Sequence, residues 1–290
     1  WGRLIIDRWL REQGIEPYQT NPITRLSIIG NHGMGALCYQ PETQAGQSRE
    51  QQTLEKYALE VQKILREEDI ESLSDWVEKA GSPAGARPKI ILEVDGQPWL
   101  IKFRASEDPE DIGQLEYEYA KTAQACGIMM PETRLFEGKW FGSRRFDRHE
   151  GRRIHCLTAS GLLHASHRYP SLDYADLMKA THLVTNSMAE VKKIYHQMVF
   201  NVRTRNRDDH AKNFSFMMVN GMWQCSPAYD LVFSDGFGGA HTTTINGKGT
   251  PSTQDLIDVG LHAGLEKQEC DHIIQKIFDQ TYELLRCLPT

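Results

Sequence analysis

Asn206-Arg207-Asp208-Asp209-His210-Ala211-Lys212-Asn213 is followed by Phe-Ser-Phe-Met-Met-Val, the dipeptide Asn220-Gly221, Met-Trp-Gln-Cys-Ser-Pro, and then Tyr229-Asp230. Asn-Gly between two apolar-rich runs predicts a β-hairpin, because both central residues of a type I′ turn need φ > 0. Asp208 and Asn213 then stand at the entrance of the hairpin and Asp230 at its exit. The strands fold back, so the three side chains converge on one small volume. An Asp, an Asn on its C-terminal side and a second Asp past a short hairpin is the order of parts in a phosphoryl-transfer loop and its metal-binding Asp. Read alone, Asp-Asp-His before a turn is also what a solvated loop looks like, so the upstream context decides.

Upstream, Ala80-Gly-Ser-Pro-Ala-Gly-Ala-Arg-Pro-Lys89 is small, glycine-containing and basic at its end. It feeds Ile90-Ile-Leu-Glu-Val, the hairpin dipeptide Asp95-Gly96, and Trp99-Leu-Ile-Lys-Phe103. Backbone N–H groups of such a loop can cradle phosphate oxygens while the Lys102 ammonium neutralises them. The plain alternative for Lys102 is an edge-strand lysine facing solvent. Leu115 to Cys126 has helical spacing, with Gly127 as its C-cap. Glu116 in its first turn is either the partner that steadies Lys102 or an ordinary acid favoured by the helix dipole.

Met130-Pro131 precedes a strand pair, Arg134 to Phe136 and Lys139 to Arg145, turning on Glu137-Gly138. Phe146-Asp147-Arg148 ends that sheet and opens a mostly helical half. A strand-rich part joined to a helical part by one short link predicts an α+β chain of two lobes with a ligand cleft between them. Phe146 would face a purine ring and Asp147 a ribose hydroxyl; a buried Phe beside a surface Asp is the simpler account.

The remaining elements frame this region. Trp1 to Gly14 and Asn21 to Ile29 read as helices, with a glycine run at 30–35 taken as a structural turn, and Ala36 to Tyr39 as a short strand. Arg49 to Glu67 is a helix with one apolar side. Helices are expected over Thr158 to His167, Asp173 to Asn186 and Met188 to Val202. A strand follows at Thr242 to Ile245, then helices over Ser252 to Ala263 and Lys267 to Leu285. Ser252 with Asp255 has capping-box spacing.

Composition narrows the class. The 290 residues are 40% hydrophobic and 25% charged with a net charge of −6, ordinary for a globular chain of one large or two modest domains. That charge argues against nucleic-acid binding by the bulk of the chain. No apolar run approaches membrane-spanning length and no signal peptide is visible. The six cysteines, at 38, 126, 156, 225, 270 and 287, form no Cys-x-x-Cys pair. Their scatter suggests reduced thiols in cytoplasm. His164 and His167 have no second ligand pair nearby and read as a polar helix end. The chain opens on Trp1 rather than Met, as a processed or truncated form would.

Taken together the order is glycine loop, hairpin lysine, helix glutamate, linker, Asp-x-x-x-x-Asn, hairpin, Asp. Phosphoryl transfer needs such parts because its work is mostly positioning and charge neutralisation. Asp208 would orient or deprotonate the acceptor hydroxyl, Asn213 and Asp230 would hold Mg2+ through hard oxygens, and Lys102 would bind the α and β phosphates of ATP.

Ser82-Pro-Ala-Gly-Ala-Arg-Pro-Lys89, Arg145-Phe-Asp-Arg148, Asp208-Asp-His-Ala-Lys-Asn-Phe-Ser215 and Tyr229-Asp230 resemble the HipA family, serine/threonine kinase toxins of bacterial type II toxin–antitoxin systems with a two-lobed kinase-like fold. Trp1-Gly-Arg-Leu and Gly33-Met-Gly-Ala-Leu37 are similar to the later part of that family's N-terminal subdomain. The resemblance implies Asp208 as catalytic residue, Asn213 and Asp230 as metal ligands and Lys102, with Glu116 as its partner, as the ATP lysine. It places Ser82, Ala84, Gly85, Ala86, Phe146, Asp147, His210 and Lys212 around the nucleotide, and makes Ser82 the autophosphorylated residue whose modification ejects the loop. It also implies an aminoacyl-tRNA synthetase as substrate and a DNA-binding antitoxin of the HipB type as partner, so that DNA is reached only through the antitoxin. The implied division is 1–75 for the rest of the N-terminal subdomain and a connecting helix, 76–148 for the nucleotide lobe and 149–290 for the helical lobe. The chain carries little of the family's strand-rich N-terminal subdomain, so the resemblance implies either a kinase whose subdomain sits on a separate small protein or a fragment.

Two other functions share the residues. A nucleotide-binding pseudokinase serving as antitoxin-bound co-repressor would bind ATP without turnover. A metal-dependent hydrolase built on Asp208, Asp209 and His210 would leave the lysine and glycine loop idle.

Overall fold

The computed structural model describes residues 1–43, 50–81, 83, 85–166 and 171–286. The chain divides into two compact units: Trp1–Gln114 with Glu132–Arg153, and Leu115–Pro131 with Ile154–Thr290.

The first unit opens with helices α1 (Gly2–Glu12), α2 (Pro22–Ile29), α3 (Leu54–Leu65) and α4 (Leu73–Ala80). Asn21 and Thr53 accept the N–H groups of Thr24 and Lys56 at 2.8 and 3.3 Å. Each cap satisfies a backbone donor that a helix start leaves open, which fixes where α2 and α3 begin. Strands β1 (Lys89–Val94), β2 (Gln97–Lys102), β3 (Thr133–Phe136) and β4 (Trp140–Arg144) form an antiparallel sheet in the order β1-β2-β4-β3. Its hairpins turn on Asp95-Gly96 (φ 53° and 69°) and Glu137-Gly138 (φ 48° and 70°), the left-handed pairs a type I′ turn requires. Ile90 pairs with Ile101 and Leu92 with Trp99, and all four are buried in one core with Tyr57 and Trp76. Trp76 meets Trp1 and Tyr57 edge-on, each at 5.8 Å, and its indole N–H donates to Glu60 at 2.6 Å, so this large side chain is buried without an orphaned donor. A two-stranded ribbon, β5 (Arg148–His149) and β6 (Arg152–Arg153), ends the unit.

The second unit takes in most of α5 (Ile112–Ala125), then β7 (Cys156–Thr158), α6 (Ala159–Leu163), β8 (Leu172–Asp173), α7 (Tyr174–Thr185) and α8 (Met188–Arg203). Strands β9 (Ser215–Val219) and β10 (Met222–Cys225), the short β11 (Thr243–Thr244), and helices α9 (Thr253–His262), α10 (Lys267–Gln280) and α11 (Tyr282–Arg286) complete it. Helix α8 is central: Val191, Ile194, Tyr195, Met198, Val199 and Phe200 are all buried in the core of this unit. The hairpin β9–β10 turns on Asn220-Gly221 at φ 51° and 77°. Sheet and helix together give the α+β class expected from the sequence.

Several boundaries differ from the sequence pattern. Ala36 to Tyr39 forms no strand, and the Tyr39 N–H donates back to the Gly30 carbonyl at 3.2 Å; just before it, the carbonyls of Gly33 and Gly35 and the Gly35 N–H are taken by side chains of residues 145–148. The helix expected from Arg49 begins at Leu54, where Thr53 caps it. Helix α6 stops at Leu163 because His164 turns left-handed at φ 51°, and His167 lies outside the described residues. The strand at Thr242–Ile245 shortens to β11, paired parallel to β8. The last helix breaks at Thr281, whose hydroxyl donates to the Ile277 carbonyl at 2.7 Å.

Candidate active site

The quoted stretch leaves the C-terminal end of α8 by a left-handed turn at Arg205 (φ 56°). Asn206 fixes the exit. Its N–H donates to the Asn201 carbonyl at 2.9 Å, and its amide nitrogen to Asn201 Oδ1 at 3.0 Å and to the Asp230 carbonyl at 3.4 Å. One buried amide therefore ties the start of the loop to the residue beyond the hairpin.

Asp208 and Asp209 then face opposite ways, as successive side chains of extended backbone do. The Asp208 side chain is 65% exposed. Asp209 is 1% exposed. Its Oδ2 accepts from the Tyr174 hydroxyl and lies beside His241 Nδ1, both at 2.9 Å, and its Oδ1 accepts the N–H groups of Thr242 and Thr243 at 2.9 and 3.2 Å. Tyr174 also accepts from the Asn201 amide at 3.0 Å, which links this cluster to the Asn206 tie. Burial and the Asp209 charge push the Tyr174 hydroxyl well above its ordinary range, so it remains a donor. Asp209 thus anchors the loop. A hydrolase that needs it as a metal ligand or base finds it already surrounded by four donors.

The loop closes over a 3-10 turn, Ala211–Asn213, and the Asn213 amide nitrogen donates to the Asp208 carbonyl at 2.7 Å. That bond commits the nitrogen and leaves the amide oxygen as the atom available to a cation. After the hairpin, the hydroxyl of the half-buried Tyr229 donates to the Lys212 carbonyl at 2.6 Å and lies 2.5 Å from Ser215 Oγ. Asp230 follows in left-handed backbone at φ 55°, a conformation costly for a residue with a Cβ and often found at functional sites. The bonds Asn213–Asp208, Asn206–Asp230 and Tyr229–Lys212 bring the backbones of the three expected residues into one cluster. His210 is half-buried with Nε2 3.9 Å from Asp208 Oδ1, and Lys212 is half-buried in the turn.

An amide oxygen and a carboxylate suit Mg2+, which keeps several waters and binds through one or two protein oxygens plus phosphates. Among the described residues no three His, Cys, Asp or Glu side chains are grouped to hold a metal. The amide oxygen of Asn213 and the carboxylate of Asp230 are donors of the kind a hard cation takes.

Apart from Glu116, the remaining expected residues lie in the first unit. Lys102 ends β2 opposite Lys89; it is 8% exposed, and its ammonium sits 5.6 Å from the Phe141 ring centroid. Gly85 has φ 101° and a side chain there would run into the Lys89 ammonium, so the loop needs glycine at this point. Gly85 and Ala86 are exposed, whereas Ser82 and Ala84 lie outside the described residues. Glu116 is buried on α5, within the second unit.

Phe146 is half-buried, and Asp147 is not a surface acid. Its carboxylate, 1% exposed, accepts from Arg145 at 2.9 and 2.7 Å, from Arg148 at 2.8 Å and from the Gly35 N–H at 2.7 Å. Both guanidinium groups also donate to the Gly33 carbonyl, at 3.2 and 2.8 Å. Burial pushes the Asp147 carboxyl up, but Arg145, Gly35 and Arg148 together outweigh it and hold it below its ordinary value. Oδ2 carries three of these bonds and Oδ1 one. The glycine run at 30–35 is the structural turn its pattern suggested, with this carboxylate as its anchor.

Sequence reasoning did not single out Tyr174, Asn201, Asn206 as a tie, or His241. The only signals were an Asn opening the motif and a His beside three threonines, Thr242-Thr243-Thr244.

No curated protein matches the sequence. Among solved structures, the chain matches the Shewanella oneidensis MR-1 toxin–antitoxin complex of HipA, HipB and operator DNA with a TM-score of 0.71 at 18% identity, over 98% of this chain and 76% of that one. A weaker likeness, on which nothing below rests, is to the Helicobacter pylori proinflammatory kinase CtkA, with a TM-score of 0.45 at 15% identity over 68% of this chain and 88% of that one. The fold is HipA-like, with the four-stranded sheet in the first unit and a mostly helical second unit. The family model for the HipA-like C-terminal domain matches residues 81–284, which contain the glycine loop, Lys102, the Asp208 loop and Asp230. The chain belongs to the HipA family through this HipA-like C-terminal domain.

Proposed function

We propose that the chain is an ATP- and magnesium-dependent protein serine/threonine kinase of the HipA toxin type, acting on a protein target and on its own Ser82. The observation that carries this reading is the division of labour between adjacent acids. Asp209 is buried under four donors and fixes the loop, which leaves Asp208 outward with its carbonyl held by Asn213. An exposed carboxylate on a rigid loop is what an acceptor hydroxyl needs for orientation and proton removal. Asn213 and Asp230 would hold the cation, which when bound neutralises the phosphate oxygens. Lys102 takes the α and β phosphates, Glu116 steadies it, and Phe146, His210, Lys212 and the glycine loop line the nucleotide.

The partner reading is an antitoxin of the HipB type, supported by the related HipA crystallised with HipB and operator DNA. The proposed target is an aminoacyl-tRNA synthetase, by resemblance, and the proposed compartment the cytoplasm. Among the described residues no helix is long and apolar enough to cross a membrane.

The test is incubation with γ-labelled ATP and Mg2+, alone and with a panel of synthetases. Transfer to Ser82 or a synthetase that disappears in Asp208→Asn supports the kinase. ATP binding by calorimetry with no label on any protein replaces it with the co-repressor reading. Phosphate release without protein label would favour the hydrolase.

A further inference from the structure

The ten phenylalanines of the chain divide sharply: nine are buried or half-buried, and Phe237 is 96% exposed. An isolated apolar side chain on a surface is ordinary and asks for no explanation. Phe237 differs in how it is held. The segment around it is strapped to the catalytic loop on both sides. The Arg207 N–H donates to the Ser234 carbonyl at 3.3 Å, the Ser234 N–H to the Arg205 carbonyl at 3.0 Å, and the Thr242 N–H to the Arg207 carbonyl at 3.1 Å. His241, one residue earlier, is the buried neighbour of Asp209.

Between these straps the chain makes a tight turn, with Phe237 bridged to Ala240 and left-handed glycines at 236, 238 and 239. A side chain at Gly236 would stand 2.7 Å from the Arg207 Cβ, so the backbone rests directly on the residue before Asp208. Three glycines lose much chain entropy on ordering. What the turn presents for that cost is one exposed aromatic ring, on backbone packed against the residue before Asp208.

We propose that Phe237 is a substrate-docking anchor: it packs against a large apolar side chain close to the acceptor serine or threonine in an extended segment of the protein substrate. This rests on the kinase reading above and adds a recognition element to it. Aromatic side chains suit such a role because they bury much area with few rotatable bonds, and a few such residues dominate interface affinity. The commitment to substrate, rather than to a second copy of the chain, comes from the straps at Arg205, Arg207 and Thr242, which hold the backbone of the turn against the loop that carries Asp208.

The experiment uses the full chain, ATP, Mg2+ and a degenerate library of short Ser- and Thr-containing peptides. Wild type is expected to prefer peptides with Leu, Ile, Met or Phe near the acceptor. Phe237→Ser should raise KM for those peptides about tenfold or more and hold kcat, with Phe237→Trp restoring the KM, as loss and recovery of one buried aromatic contact require. An unchanged KM in Phe237→Ser, with wild type active, overturns the anchor alone. Wild type that labels itself but no peptide also overturns it, because the anchor as stated reads a short segment. A Phe237→Ser chain that only changes from dimer to monomer in sedimentation assigns the ring to a second copy and overturns it too. Wild type that labels neither itself nor a peptide removes the kinase reading and the anchor with it.

Discussion

The Asn213 amide nitrogen lies 2.7 Å from the Asp208 carbonyl oxygen, so the expected metal ligand also clamps the expected catalytic residue through its backbone. The two roles separate by substitution. Asn213→Asp keeps oxygen donors but loses the N–H, and Asn213→Ala loses both. Asn213→Ala should cost about 1–2 kcal/mol of stability, from one buried hydrogen bond. Both variants should lose phosphoryl transfer, with Asn213→Asp retaining the greater Mg2+-dependent ATP affinity. Urea melts and calorimetry with and without Mg2+ check this.

Adjacent acids should give opposite phenotypes. Asp208→Asn changes an exposed side chain, so stability should stay within about 0.5 kcal/mol while transfer falls about 10²- to 10⁴-fold. Asp209→Asn replaces an acceptor-only group held by four donors and should destabilise by about 3 kcal/mol. Thermal melts of both variants, run beside the labelling assay, distinguish the pair.

Left-handed backbone at Asp230 makes a second separation. Asp230→Ala and Asp230→Gly both remove the carboxylate and should both abolish transfer. At φ 55° glycine carries no Cβ penalty, so Asp230→Ala should be less stable than Asp230→Gly by about 1 kcal/mol. Equal melting temperatures would count against strain at this residue.

Acid should attack the first unit at Asp147. Its carboxyl is held below the ordinary value, so the folded chain binds fewer protons there than the unfolded one. Its contribution is fully present above the unfolded value of about 3.9 and is lost as pH falls through the folded value. Wild-type stability should therefore decline steeply below about pH 4, and Asp147→Asn, already less stable by about 3–5 kcal/mol, should decline less. Urea melts from about pH 6 down to about pH 2.5 measure both slopes.

Local chemistry made much of the fold legible. Asn-Gly, Asp-Gly and Glu-Gly announced three hairpins because a type I′ turn selects those residues by φ alone, and each hairpin stands where the dipeptide put it. Caps did the same for α2, opened by Asn21, and for α9, where Ser252 and Asp255 form the capping box, whereas the sequence pattern misses the Thr53 cap of α3 and starts that helix at Arg49. The buried polar network was not legible. Asp209 and His241 are 32 residues apart and Asp147 reaches back 112 to Gly35, and no local pattern encodes a partner at such range. Ala36–Tyr39 has strand-like composition but pairs with no strand, and the Tyr39 N–H instead turns back to the Gly30 carbonyl. His164 ended α6 early because a left-handed residue stops a helix whatever the periodicity around it.

The Asp147 cage sets an order of events for synthesis. The turn at 30–35 emerges from the ribosome long before the residue that holds it, 112 positions later. Until then Gly33 and Gly35 have only water for partners, and the nascent helices α1–α4 must wait beside an open end. Release of a chain stopped just short of Arg145 should thus give a protease-sensitive N-terminal segment, and one extended past Arg148 a resistant one.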